Sequence, residues 1–341
     1  MDRTHREERT VSGLTYVELF AGAGGLSMGL DAAGFEPIAH AEIEPNARAV
    51  LRRQWPTVPL HGDVAQIDGT QFRGVTLISG GSPCQDLSVA GRRAGLDGAR
   101  SGLFHEQVRI WKESEAPYLI WENVLGALSS NNGHDFAAVL SAFVGADVAV
   151  PQDGWRKSGV AAGSTGVAAW RVLDLQHFGP PQRRRRVFVV AARAGGVDPA
   201  EVLALSEGVC GHPSPRQQAR EIAASSVRGG VEGVVEPVFP TLTMGAHTAG
   251  PGGNGQDALQ IQQTLSAVGV GLPRRITPLE CERLMSWPDH WTRYGAHEDG
   301  TPFLLSDAAR YRLCGNGVGS VCVAWFAARL ARMVEAASCP P

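Results

Sequence analysis

Leu14-Thr15-Tyr16-Val17-Glu18-Leu19-Phe20 is a short run of apolar, β-branched and aromatic residues, and it leads directly into Ala21-Gly22-Ala23-Gly24-Gly25. From Leu26 to Ala33 the apolar spacing becomes helical, so the stretch predicts strand, glycine turn and helix. The next unit repeats the plan. Pro37 to Ala41 reads as a strand, Glu42-Ile43-Glu44 as its acidic tip, and Pro45 as a helix start with Ala47, Val50 and Leu51 on the inner face. Further strands are expected at Val75 to Ser79, Tyr118 to Trp121, Trp170 to Leu175 and Val187 to Ala192, with helices at Gly102 to Lys112 and Phe136 to Val144. Strands alternating with helices predict an α/β chain with a mostly parallel, doubly wound sheet.

Composition divides the chain. Residues 1–12 form a polar tail, and 13–193 carry the strand and helix pattern. From about Ala194 to Pro273 the chain is rich in Gly, Pro, Ser and Gln, which predicts a small loop-rich inserted domain at 194–273. Residues 274–341 are expected to return to the main core, through a helix at Thr277 to Met285 and an apolar last helix from about Val318 to Val334.

With 341 residues, 43% of them apolar and 19% charged, the chain can bury a sizeable core. No apolar stretch approaches the ~20 residues of a membrane span, and the tail has no apolar core of a secretory signal, so a soluble, cytoplasmic protein is expected. The six cysteines form no C-x-x-C pair, which argues against structural zinc and leads to the expectation of no metal. Net charge is −3, yet positive charge is concentrated in Arg183-Arg184-Arg185-Arg186.

Several residues invite chemistry. Cys84 lies in Gly80-Gly81-Ser82-Pro83-Cys84-Gln85, a loop after an apolar strand, where a thiol is reachable; taken alone, it reads more often as a small buried hydrophobe. Glu122 ends the apolar run Tyr118-Leu119-Ile120-Trp121, so desolvation should raise its pKa and let it give a proton near neutrality; taken alone, it reads equally as a helix-capping or salt-bridged glutamate. Glycines at the first turn let a ligand approach backbone at a helix N-terminus, and Glu42, about 20 residues on, is placed for a ribose. Together these favour an adenosine-containing cofactor. Asp63 and Asn316 are further polar candidates, or ordinary turn residues.

Glu18-Leu19-Phe20-Ala21-Gly22-Ala23-Gly24-Gly25, Gly81-Ser82-Pro83-Cys84-Gln85, Glu122-Asn123-Val124, Gln182 to Arg186 and Gly315-Asn316-Gly317-Val318 occur in that order. The series resembles the DNA cytosine-5 methyltransferases of bacterial or phage type over nearly the whole chain. The resemblance implies a Rossmann-like S-adenosylmethionine-dependent methyltransferase fold whose insert is a target recognition domain. It implies Cys84 as nucleophile, Glu122 as acid at the cytosine ring, and Arg184 and Arg186 as the arginines holding base and acid. An S-adenosylmethionine pocket would be lined by Phe20, Ala21, Gly22, Gly24, Gly25, Glu42, Ile43, Asp63, Val64, Pro83, Leu103 and Asn316, with S-adenosylhomocysteine as product.

Double-stranded DNA is the implied substrate, contacted by Ser88, Arg92, Arg93, Arg100, Thr241 and Leu242, with Gly91 to Arg100 as a closing loop. A monomer in the bacterial cytoplasm or nucleoid is expected, with a cognate restriction endonuclease as partner and no membrane. Competing readings are a tRNA cytosine-5 methyltransferase, a nucleotide-cofactor oxidoreductase and a silent DNA-binding scaffold. The oxidoreductase reading gives Cys84, Glu122 and the arginine run no joint task. Leu87, Ile43 and Gly317 depart from the family pattern, where Phe, an aromatic, and Ser or Ala respectively are usual.

Overall fold

The computed structural model describes residues 13–83, 102–204 and 275–338. Cys84, Ser88, Arg92, Arg93, Arg100, Thr241 and Leu242 lie outside the described residues, as do the N-terminal tail and most of the 194–273 segment.

Eight strands form the main sheet: β1 (Thr15–Leu19), β2 (Glu36–Ala41), β3 (Leu60–His61), β4 (Leu77–Gly80), β5 (Tyr118–Val124), β6 (Ser158–Ala162), β7 (Gly166–Asp174) and β8 (Arg185–Arg193). Their order is β3-β2-β1-β4-β5-β8-β7-β6. The five strands from β3 to β5 pair in parallel through crossovers, among them α1 (Gly25–Ala32), α2 (Pro45–Gln54) and α3 (Gly102–Ser114). Between β1 and β4 the direction of winding reverses. Such a switch point leaves a crevice at the carboxyl ends of the strands, where α/β sheets bind ligands.

Alternation along each strand assigns side chains to two cores. Tyr118 and Ile120 face the layer of α1 and the C-terminal helix α8 (Ser320–Ser338), where Leu30 and Phe326 are fully buried. Leu119 and Trp121 face α3 and α4 (His134–Val144), among Phe104, Trp111, Phe136 and Phe143. Burying each such side chain stabilises by roughly 1.5–3 kcal/mol before entropy is counted. The C-terminal segment therefore returns to the main core, with Phe326 packed 5.2 Å, centroid to centroid, from Phe188 of β8.

The sheet departs from the parallel expectation at one edge. β5 pairs antiparallel with β8, β8 with β7, and β7 with β6. Trp170 to Leu175 and Val187 to Ala192 are separated by too few residues for a parallel crossover, which needs about a dozen, and they form a hairpin instead. Residues 194–204, read from composition as the start of the insert, also belong to the core: α5 (Pro199–Val202) buries Val202 and Leu203 in the α8 layer. Their few apolar residues are masked by the Gly and Pro content around them.

The return segment is built from α6 (Pro278–Leu284), a small antiparallel hairpin of β9 (Tyr294–Ala296) and β10 (Pro302–Leu304), and α7 (Asp307–Asn316). Thr277 and Glu280 make a capping box at the start of α6. Glu282, fully buried, accepts from the amides of His290 and Thr292 and pairs with Arg310 at 3.1 Å. That charge is thereby compensated on every side, and it ties α6 to α7. Among the described residues no single helix is long and apolar enough to cross a membrane.

Candidate active site

A cavity of ≈ 590 Å³ opens at the carboxyl ends of β1, β2, β4 and β5. Phe20 and Gly22 line it from the first turn, Glu42 and Ile43 from the second, and Asp63 and Val64 from the turn after β3. Pro83, Leu103 and Asn316 close it from three further segments. Sequence reasoning brought these nine residues together from motifs spread along the chain.

Each acidic group at this end is held by backbone. Glu42 Oε2 accepts from Gly22 N at 2.7 Å, while its Oε1 accepts from Ile43 N and Glu44 N, both at 2.8 Å. The carboxylate thus fixes the two turns to one another and keeps lone-pair capacity toward the cavity. Asp63 accepts from Ala65 N at 2.9 Å, capping the short helical turn that follows it. Ile43 is 71% exposed over the opening.

Three residues predicted for the lining are placed behind it. Ala21, Gly24 and Gly25 are buried, Gly24 under the ring of Trp55 and Gly25 against the backbone of Val318. Their smallness serves the packing of the first turn against α2 and the C-terminal segment. Beneath this turn, Glu18 accepts from Ser27 N at 2.9 Å, and Ser27 Oγ lies 2.8 Å from His40 Nε2. Burial pushes Glu18 up to about 8 and His40 down to about 4, so at neutral pH the buried cluster avoids charge on both.

The other end of the cavity has a different character. Glu122 leaves the end of β5 with its side chain only 17% exposed, and Arg186 Nε pairs with its Oε1 at 3.1 Å. Loss of solvation raises the Glu122 pKa; the cations of Arg186 and Arg184 oppose this only in part. The antiparallel register explains the pairing, because Val124 of β5 stands opposite Arg186 of β8, two residues beyond Glu122. Gly81 lies against Glu122: a Cβ there would stand 2.9 Å from Oε2 and 3.0 Å from the main-chain oxygen. Only a glycine leaves room for the carboxyl group.

Pro83 is the last described residue before Cys84, and side chains from β5 brace the segment that precedes it. Trp121 Nε1 donates to Ser82 Oγ at 3.0 Å, and Asn123 Nδ2 donates to Ser82 O at 3.0 Å. Arg184 does not line the cavity with Arg186. Buried at 2% exposure, it donates through Nη2 to Gly315 O at 2.9 Å and also to Gly317 O. It supports the turn that carries Asn316, and its cation acts on Glu122 from behind the cavity wall. Alternation along a strand does not extend to Arg184, since β8 begins at Arg185.

Ser82, Asn123 and Gly315 also line the cavity and were missed as site residues. The signal for the first two was a polar residue on each side of an otherwise apolar pair of strands. Gly317 explains its own departure: a Cβ would overlap the Trp287 ring, whose Nε1 donates to Val318 O at 3.0 Å. The buried thiols of Cys281, Cys314 and Cys322 are all shifted upward by burial, Cys281 to about 12, and behave as apolar packing. Among the described residues no cluster of three or more His, Cys, Asp or Glu is arranged for a metal.

A mostly parallel, doubly wound sheet with a cavity at its switch point is a Rossmann-like arrangement. A prophage-encoded E. coli protein described as a DNA modification methyltransferase has the same architecture, with a TM-score of 0.61 at 17% identity, covering 94% of this chain and 99% of that one. The family model for C-5 cytosine-specific DNA methylase matches residues 14–208, and the chain belongs to that family.

Among its curated relatives is a protein of Escherichia phage P1 named DNA N-6-adenine-methyltransferase, 34% identical over 265 residues. That match takes in 67% of this chain and only 35% of the phage protein. Type II methyltransferase M2.BsuMI of Bacillus subtilis is 28% identical over 334 residues, covering 93% of this chain and 75% of its own length.

Proposed function

We propose that the protein transfers a methyl group to carbon 5 of cytosine in double-stranded DNA at a specific sequence. The observation that carries this reading is Glu122: a carboxylic acid with a raised pKa, held by Arg186 against Gly81, three residues before the sequence position of Cys84. Carbon 5 of cytosine is too weak a nucleophile to be methylated directly, so the ring must first be activated.

In the proposed course the Cys84 thiolate adds to carbon 6, and the ring's π pair moves toward carbon 5. Glu122 gives its proton to ring nitrogen 3, which prevents charge from building up on the ring. S-adenosylmethionine, when bound, supplies an electrophilic methyl group at its sulfonium. Once carbon 5 carries the methyl group, water takes the carbon 5 proton, the electron pair left behind forms the carbon 5–carbon 6 double bond and expels the Cys84 thiolate, and nitrogen 3 returns its proton to Glu122.

The cavity fits that cofactor. Its volume lies within the range of small-molecule sites. Glu42 and Asp63 offer acceptors for ribose hydroxyls and an adenine amino group, and Phe20, Ile43, Val64 and Leu103 give apolar surface. Asn316 offers an amide to the aminoacyl tail. Because the reacting ring atoms are inaccessible in a stacked duplex, the base must be flipped out, at a cost of a few kcal/mol. Recognition of the flanking sequence would fall to residues 205–273, and a cognate endonuclease would complete a restriction-modification pair.

The name of the phage relative raises a second reading, methylation of the exocyclic amine of adenine. That reaction requires neither a thiol on a ring carbon nor an acid at a ring nitrogen, and it leaves Glu122 and Cys84 idle. Incubation of the purified protein with S-adenosylmethionine and unmethylated DNA, followed by nucleoside mass spectrometry, decides between them. 5-Methyl-2′-deoxycytidine is expected. N6-methyladenine, or methylation of tRNA with DNA unmodified, would replace this reading. Bisulfite sequencing of the same DNA then gives the site.

A further inference from the structure

We propose that Gln107 is a positioning residue that fixes the start of the Gly80–Pro83 segment, which leads to Cys84, relative to Glu122. The inference rests on the reading of Cys84 and Glu122 as the reacting groups, and its grounds are in the helix behind them. Gln107 is one turn beyond Leu103 on α3, so that the same helix lines the cavity and reaches behind it. Its side chain is completely buried among apolar neighbours. Nε2 carries two hydrogens, and two carbonyls receive them: Gly80 O at 3.3 Å and Ile120 O at 3.4 Å.

Those two carbonyls are a meaningful pair. Gly80 is the last residue of β4, and the chain leaves it for Gly81-Ser82-Pro83-Cys84; Ile120 is two residues before Glu122 on β5. One amide group therefore clips together the ends of the two strands that deliver the thiol and the acid. On the same face of the sheet Trp121 and Asn123 hold Ser82, so the segment leading to Cys84 is held at Gly80 and again at Ser82. The clip has a cost: Gln107 Oε1 is buried and has no hydrogen-bond partner among the described residues. Leucine or methionine would fill this apolar layer without that penalty. A buried amide with one satisfied end is what remains when the donor end is needed and the acceptor end is not.

The test uses the full-length protein. Gln107→Leu keeps the volume and removes both donors. It is expected to slow single-turnover methyl transfer by about 10–100-fold while leaving S-adenosylhomocysteine affinity within about threefold, because small misplacements of reacting groups act on rate. It is also expected to change the rate at which iodoacetamide alkylates Cys84, read by peptide mass spectrometry. Gln107→Glu can donate a proton only when its carboxyl is protonated, and burial raises that pKa. Its rate should therefore fall, as pH rises, along an additional limb absent from wild type, a signature that loss of packing alone does not produce.

Wild-type rates of methyl transfer and alkylation in Gln107→Leu would overturn the proposal, as would loss of rate and cofactor binding in equal measure. So would a Gln107→Glu pH profile parallel to wild type. A wild-type protein that methylates no cytosine would instead remove the proposed function, and the alkylation rates would still decide the role of Gln107.

Discussion

The two ends of the cavity use the same side chain for opposite purposes. Glu42 accepts hydrogen bonds from three backbone amides, which hold it as a fixed acceptor between the two turns. Glu122 pairs with the Arg186 guanidinium, is largely desolvated and has its pKa raised by that burial. The difference teaches that backbone donors at a turn produce a binding carboxylate. A strand end buried in an apolar layer, with Arg186 paired to it, holds a carboxyl group whose pKa is raised, as the proposed proton transfer requires.

The sharpest way to break this comparison is at the acid. Glu122→Gln is expected to lower the single-turnover rate by about 10²–10⁴-fold while leaving cofactor and DNA affinity nearly unchanged. The same substitution should stabilise the fold. A carboxyl whose folded pKa is raised penalises folding once pH exceeds its unfolded value, about 4.3, and the penalty grows until pH reaches the folded value. Glu122→Gln should thus match wild type in Tm near pH 4 and exceed it near pH 8. Thermal unfolding at the two pH values checks the sign.

Removing the cation is the next largest change. Arg186→Met should lower the rate by about 10–100-fold through misplacement of the acid. Since Arg186 opposes the upward shift of Glu122, its loss should also carry the alkaline limb of the pH-rate profile to higher pH. A limb moved to lower pH would contradict the assignment.

At the other end the expected effect is on binding. Glu42→Ala should weaken S-adenosylhomocysteine by about tenfold in calorimetry, because it removes a charged acceptor that also ties the two turns together. At saturating cofactor the single-turnover rate should be close to wild type. The smallest effect on chemistry is expected from Gly317→Ala, which must displace the Trp287 ring. It should cost about 1–3 kcal/mol of stability in denaturant unfolding and leave the rate per folded molecule unaltered.

The parts of this arrangement visible in the sequence are those encoded by local pattern. The run from Leu14 through Gly25 to Ala33 specifies strand, turn and helix by its own periodicity, and Glu122 announces itself as a carboxylate closing an apolar run. What a local pattern lacks is direction and partner. Alternation is the same in parallel and antiparallel strands, so the β6-β7-β8 edge follows only from the shortness of its connections. Nothing in Gln182 to Arg186 says where the strand begins, which is why Arg184 and Arg186 looked equivalent. In the structure one holds the Gly315–Gly317 turn and the other the acid.

Long-range packing was equally hidden. Gly24 and Gly25 look like ligand-facing glycines until Trp55 and Val318 are brought against them. The three-residue strands β9 and β10 are too short to carry a period, and the buried Glu282–Arg310 pair unites residues with no local relation.

The central claim is that a thiol and Glu122 act on one cytosine ring. It is tested most directly by incubating the protein with S-adenosylmethionine and a duplex carrying 5-fluorocytosine at the cytosine that bisulfite sequencing identifies. Fluorine cannot leave as a cation, so the account predicts a stable protein–DNA adduct that carries the transferred methyl group and maps by peptide mass spectrometry to Cys84. Efficient methylation of ordinary cytosine by the same preparation, with no adduct on the fluorinated duplex or with an adduct at another residue, would contradict it.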